Sequence, residues 1–96
     1  MTFYVTHKYW DNPTNIDIAR KVTDDLQKND LANLYICPLT AISCLADKSI
    51  PQDIKTALRL DLLCLCDKLI IINECDNIMK KEIELAEKIH MEIERN

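Results

Sequence analysis

The chain has 96 residues, 48% of them apolar, a net charge of −4, five cysteines, three prolines and no glycine. That length holds one domain with a modest core. No apolar run approaches the ~20 residues of a membrane span, and an acidic balance without a basic face excludes a general nucleic-acid binder.

No basic region precedes a hydrophobic segment in Met1-Thr2-Phe3-Tyr4-Val5, so no secretory signal is read there. With no such signal, the odd set Cys37, Cys44, Cys64, Cys66 and Cys75 reads as reduced intracellular thiols in a cytoplasmic protein. Cys64 and Cys66 are one residue apart, a spacing that suits neither a redox pair nor zinc, so no metal and no cofactor is expected. Small buried hydrophobes are the plainer role for these side chains.

Phe3 to Thr6 is a short apolar run that predicts the first strand. A polar and aromatic loop follows, His7-Lys8-Tyr9-Trp10-Asp11. Asn12-Pro13 then has the pattern of an N-cap with proline in the first helical position. Ile16, Ala19, Val22 and Leu26 recur at helical spacing, so the first long helix is predicted from Pro13 to Asn29. Leu34 to Cys37 predicts the second strand, stopped by Pro38. Leu39 to Lys48 reads as a loop with at most one helical turn.

Ser49-Ile50-Pro51-Gln52 has capping-box spacing. Ile54, Ala57, Leu58, Leu62 and Leu65 then predict the buried face of the second long helix. Lys68 to Ile72 is the third strand, a run of branched apolar residues suited to a central parallel position. The third long helix opens at Asp76 or Asn77, with Met79, Ile83 and Ala86 on its inner face. Its pattern weakens near Lys88. Met91 to Ile93 reads equally well as a final strand or as helix continuing to Arg95.

Strands alternating with helices imply an α/β fold: a small three-layer α/β/α sandwich on a parallel four-stranded sheet. Ligands of such sheets bind beyond the C-terminal strand ends. Here those ends are His7 to Asp11, Pro38 to Thr40 and Asn73 to Asn77. A strand running through polar groups into a helix N-terminus, as Leu69 to Asn77 does, suggests a small-molecule site for a nucleotide-like ligand.

In order and spacing the chain resembles the nucleoside 2-deoxyribosyltransferase-like superfamily, especially its small phage- and bacteria-borne members. Tyr4-Val5-Thr6 looks like the family's first strand. Asn15 and Ala19 match its Asn-x-x-x-Ala, Pro38 its proline after the second strand, and Leu65-Cys66-Asp67-Lys68-Leu69 its lead into the third. Met79-x-x-Glu82-Ile83 with Ala86 matches its Met-x-x-Glu-Ile-x-x-Ala. His90-Met91-Glu92-Ile93 stands where the family starts its last strand, which favours a strand at Met91 to Ile93.

The resemblance implies that Glu82 is the nucleophile of any N-glycosidic bond hydrolase or transferase activity. A carboxylate suits that chemistry because it can stabilise or trap positive charge developing on a sugar. The chain departs from the family where its glycine before Met is Ile78, where a histidine often follows the strand-two proline but Leu39 stands here, and in a first loop without glycine. These departures favour a binding protein over an enzyme. A phage-type protein that sequesters a host nucleotide immune signal is one use of such a scaffold.

Thr6, His7, Tyr9, Trp10, Pro38, Asn73, Asn77 and Glu82 are the expected ligand-binding residues. Most have a plainer alternative. The loop aromatics can stack on a base or fold back onto the core; Asn73, Asp76 and Asn77 can cap the helix; Glu82 can be a solvated charge among Lys81, Glu84, Glu87 and Lys88. Asp61, a polar residue beside the apolar face of the second long helix, can hold a ribose hydroxyl or a neighbouring lysine, with no role in a site the plainer reading, and His90 is read as a turn residue. The resemblance and the surplus leucines at 58, 60, 62, 63 and 65 imply a homo-oligomer in which a neighbour completes the site.

Overall fold

Branched and aromatic runs joined by amphipathic helices build one sheet here. The computed structural model describes residues 1–9 and 12–96. Its elements are β1 (Thr2–Thr6), α1 (Pro13–Asn29), β2 (Leu34–Ile36), α2 (Pro38–Ala41), α3 (Gln52–Cys64), β3 (Lys68–Ile71), α4 (Asn77–Lys88) and β4 (Glu92–Arg95). The four strands are all parallel in the order β2-β1-β3-β4.

The chain moves outward from β1 to β2 and then back past β1 to β3. Right-handed crossovers therefore put α1 on one face and α3 with α4 on the other. Side-chain alternation along the strands serves both layers. Phe3, Val5, Ile70 and Ile72 pack under Val22 and Leu26 of α1. Tyr4, Leu69 and Ile71 point the other way, against Leu63, Met79 and Ala86. The result is the expected three-layer α/β/α sandwich.

α1 spans the predicted residues and begins as predicted: Pro13 occupies its first turn and the Asn12 side chain accepts the Thr14 N–H at 3.1 Å. At its far end Gln27 closes the turn into β2. Its amide donates to the carbonyls of Asp30 and Asn33, and its oxygen accepts the Tyr35 N–H at 2.9 Å. β2 is an edge strand, and its outward-facing Tyr35 N–H is thereby taken out of reach of another strand. The opposite edge, β4, is guarded by charge: Lys68 reaches Glu94 at 2.7 Å and Glu92 at 3.3 Å.

Three expectations are corrected. The buried face of α3 is Lys55, Thr56, Arg59 and Leu63, while Ile54, Ala57, Leu58 and Leu65 are exposed and Leu62 is half-buried. Leucines all round this helix left no unique apolar stripe, and a buried partner on α4 decides which side turns inward. The Ser49 capping box does not form: Ser49 donates twice to Asp47, and α3 starts after Pro51 with no side-chain cap. The last strand starts at Glu92 rather than Met91, because the Met91 N–H still bonds the Ala86 carbonyl at 2.8 Å.

That bond, with His90 N–H to Glu87 carbonyl, closes α4 in a Schellman turn whose left-handed residue is His90, at φ 59°. Asn73, at φ 58°, makes the turn after β3. Glycine is the usual residue at such positions, and a chain without it uses Asn and His. His90→Gly is expected to raise stability by ~0.5–1 kcal/mol by removing the left-handed penalty, with Asn73→Gly giving less. Urea unfolding of the two variants measures this.

Candidate functional site

The chain leaves β1 towards β2 on one side, while β3 lies on the other, so the C-terminal ends of β1 and β3 form the topological switch point where open parallel sheets bind ligands. Two segments meet there, His7 to Tyr9 and Ile72 to Asp76. Tyr9 is the joint. Its N–H donates to Asp76 Oδ2 at 3.1 Å, and its carbonyl accepts from the Asn15 amide at 2.7 Å and from Asn12 N–H at 2.9 Å. Asp76 Oδ1 meanwhile accepts the Met79 N–H at 2.9 Å as the N-cap of α4. One carboxylate thus starts the helix and holds the opposite loop. Lys8 adds an ion pair with Glu74 at 2.8 Å.

His7 is buried, with Nδ1 2.8 Å from the Lys8 carbonyl. A carbonyl only accepts, so Nδ1 carries a hydrogen and donates it.

Below this loop layer lies a buried polar cluster. Glu82, on the inner face of α4, accepts from the Tyr4 hydroxyl at Oε2 and from the Thr6 hydroxyl at Oε1. The Arg59 guanidinium grips the same carboxylate with two bonds, Nη2 to Oε1 at 2.9 Å and Nε to Oε2 at 3.1 Å, and Nη2 also reaches Thr6 Oγ1 at 3.1 Å. All four side chains are at most 1% exposed.

Burial, then the neighbouring carboxylate, pushes the Tyr4 hydroxyl well above the usual tyrosine range. Burial pulls the Arg59 guanidinium down, but Glu82 and Tyr4 outweigh it, so it is held charged more firmly than usual. Among the described residues no buried side-chain nitrogen or oxygen lacks a partner.

The structure joins Thr6 directly to Glu82, and brings the backbone of Tyr9 to the cap of α4. Tyr9 is half-buried against the cluster of Ala19, Cys37 and Leu39, so its ring folds back onto the core. Pro38 is buried in the first turn of α2, while Asn73 and Asn77 are exposed. Trp10 lies outside the described residues. Glu82 is buried and paired, which corrects the solvated alternative, and Asp61 is exposed.

Sequence reasoning missed Arg59 and the Tyr4 hydroxyl. A polar stripe at 52, 55, 56 and 59 inside a leucine-rich helix was the available signal. The cysteines are all free. Burial raises the Cys37 thiol, and burial with Asp67 pushes Cys66 up to about 11, which keeps both protonated and unreactive at neutral pH. Among the described residues no group of three or more His, Cys, Asp or Glu could hold a metal ion. A groove along α1 is lined by Thr14, Asp17, Ile18, Lys21, Val22 and Asp25, all from one helix, and brings no separate elements together.

No family model, curated protein or solved structure matches this chain.

Breaking a buried ion pair leaves an uncompensated charge, whereas replacing both partners by apolar groups does not. Glu82→Gln is therefore expected to cost ~3 kcal/mol or more in urea unfolding, and the pair Arg59→Met with Glu82→Leu to cost clearly less. A raised folded-state value for Tyr4 means stability is complete below the unfolded tyrosine value of ~10 and declines as pH rises above it. An ultraviolet pH titration is expected to show Tyr4 ionising only together with alkaline unfolding.

Proposed function

We propose that this protein binds a nucleotide-derived small molecule at the C-terminal edge of its sheet. The observation that carries the reading is the clamp at the switch point, where Asp76 ties the loop after β1 to the start of α4. A loop fixed on both sides is pre-organised, so a ligand does not bear the entropy of ordering it.

The local charges point to how such a ligand is held. Asp76 already offsets the positive end of α4, Glu74 faces Lys8, and no glycine-rich phosphate cradle exists. Recognition then rests on hydrogen bonds and stacking to the base and sugar more than on phosphate charge. Asn73 and Asn77 present exposed amides beside the clamp for that purpose.

The alternative, an N-glycosidase or deoxyribosyltransferase with Glu82 as nucleophile, requires the carboxylate to be freed from Tyr4, Thr6 and Arg59. The buried, fully partnered state of Glu82 supports holding over turnover. A phage-type sequestering role for a host nucleotide signal, in a cytoplasmic setting and with self-association, belongs to the same proposal.

A panel of nucleosides, nucleotides and cyclic nucleotides, scanned by thermal shift, tests it. A true ligand at ~100 times its Kd is expected to add ~2.7 kcal/mol, a shift on the order of 10 °C. Trp10→Ala is expected to weaken binding by ~1–3 kcal/mol if the indole stacks on the base. Asp76→Ala, which unpins the loop, is expected to weaken it about tenfold. The ligand should be recovered intact by chromatography; release of free base would establish the enzymatic alternative instead, and silence across the whole panel would end the binding reading.

A further inference from the structure

Among the described residues the fold buries the formal charges of Lys55, Arg59 and Glu82. Arg59 and Glu82 offset each other as an ion pair. Lys55, 7% exposed, is left over: among the described residues its ammonium has no hydrogen-bond or ion-pair partner. No buried side-chain nitrogen there lacks a partner, so the ammonium is a part of this side chain that water reaches. The hydrocarbon stem is what the protein buries.

Where the ammonium emerges follows from the fold. β2 and β3 both run parallel to β1, so α3 between them runs against the strands, from the C-terminal edge of the sheet to the N-terminal one. Lys55 stands one turn before Arg59, about 6 Å nearer the C-terminal edge. Helical side chains lean towards the N-terminus of their own helix, here towards that same edge. The space in the other direction holds the Arg59 guanidinium, which reaches Thr6 at the end of β1 and Glu82 on α4. Two cations repel, so the ammonium keeps away from it. Lys55 therefore opens above the Glu82 cluster, on the α3/α4 side of the switch point.

The carboxylates of that region are engaged elsewhere. Asp47 Oδ1 accepts the N–H and the hydroxyl of Ser49, which hold its carboxyl below the usual range more than the charge of Lys55 does. Asp76 holds Tyr9 and Met79, and Glu82 holds Arg59. A lysine so placed gives up water around its stem and gains no ion pair. Methionine would fill the same space without that cost. An anionic oxygen from outside the protein is the partner the ammonium lacks.

We propose that Lys55 is the phosphate contact of the candidate site, so that its ligand is a nucleotide carrying a phosphoryl group and not a nucleoside. The inference rests on the reading of this edge as a ligand site. One lysine is a point contact, so base and sugar still supply most of the affinity. The Asp76 carboxylate keeps the phosphoryl group from the start of α4, and Lys55 draws it towards α3.

Calorimetric titration of the full chain with matched pairs, each nucleoside beside its monophosphate, tests it. Wild type is expected to bind one monophosphate at least about tenfold more tightly than its nucleoside. Lys55→Met should weaken that monophosphate about 10- to 30-fold and leave the nucleoside within about twofold. Lys55→Gln should do the same, which separates loss of charge from a change of packing. Without ligand, Lys55→Met is expected to melt roughly 2–5 °C above wild type, because it removes an unpaired cation. A lower midpoint would reveal a structural partner for Lys55 and overturn the proposal. Inorganic phosphate that binds as tightly as the monophosphate would make this a site for free phosphate and overturn it too. Monophosphate binding that Lys55→Met leaves unchanged, or weakens only as much as the nucleoside's, overturns the role of Lys55 while the ligand site stands. Silence of nucleosides and monophosphates alike ends both.

Discussion

The paired carboxylate of Glu82 is the constraint around which the α3/α4 half of the molecule is arranged. A carboxylate removed from water needs an opposite charge and donors for its lone pairs. Arg59 supplies the charge and a planar fork, and the hydroxyls of Tyr4 and Thr6 supply the rest. Those four residues come from β1, α3 and α4, so their geometry sets how both helices seat on the central strand. It also explains why α3 turns a lysine, a threonine and an arginine inward and leaves several leucines outside. Such a pair adds little net stability over an apolar core, but a misplaced helix would strand a buried charge. It therefore disfavours wrong packings more than it strengthens the right one.

The same cluster bears on function. A carboxylate that attacks a sugar needs an open face and room for a ring. Here both oxygens are occupied by Tyr4, Thr6 and Arg59, and the side chain is fully buried. The C-terminal ends of β1 and β3 form a switch point, while the Glu82 carboxylate beneath it serves the core. Above it, Asp76 organises the surface layer with two hydrogen bonds, one to its own helix and one to the facing loop. Structure and candidate recognition thus sit on separate levels of one edge, and the upper level can vary without unseating the lower.

A chain without glycine meets its sharp turns by other means. Asn73 and His90 take the left-handed positions, and Pro13 and Pro38 start helices. Side-chain clamps at Gln27, Asp47 and Asp30 close turns that backbone freedom would otherwise close. Each clamp satisfies backbone groups that would be left unpaired at helix ends and sheet edges. The phosphate cradle is the feature this strategy forgoes, since only glycine lets successive N–H groups approach an anion closely.

Local pattern by itself determined the element order as far as α4, the parallel α/β alternation, the span of α1 with its Asn12 cap, and the three loops that share the C-terminal edge; it left the last strand open between strand and continuing helix. Those are properties of short windows: apolar period, capping residues, proline positions. Tertiary structure alone decided the inward face of α3, because four leucines on one helix carry no single period and the choice depends on a glutamate far along the chain. It decided that Glu82 is a buried partner and not a surface charge, since the neighbouring lysines and glutamates in sequence look the same either way. It placed Tyr9 against the core and made Asp76 a bridge, for which a helix cap in sequence gives no sign of a second acceptor.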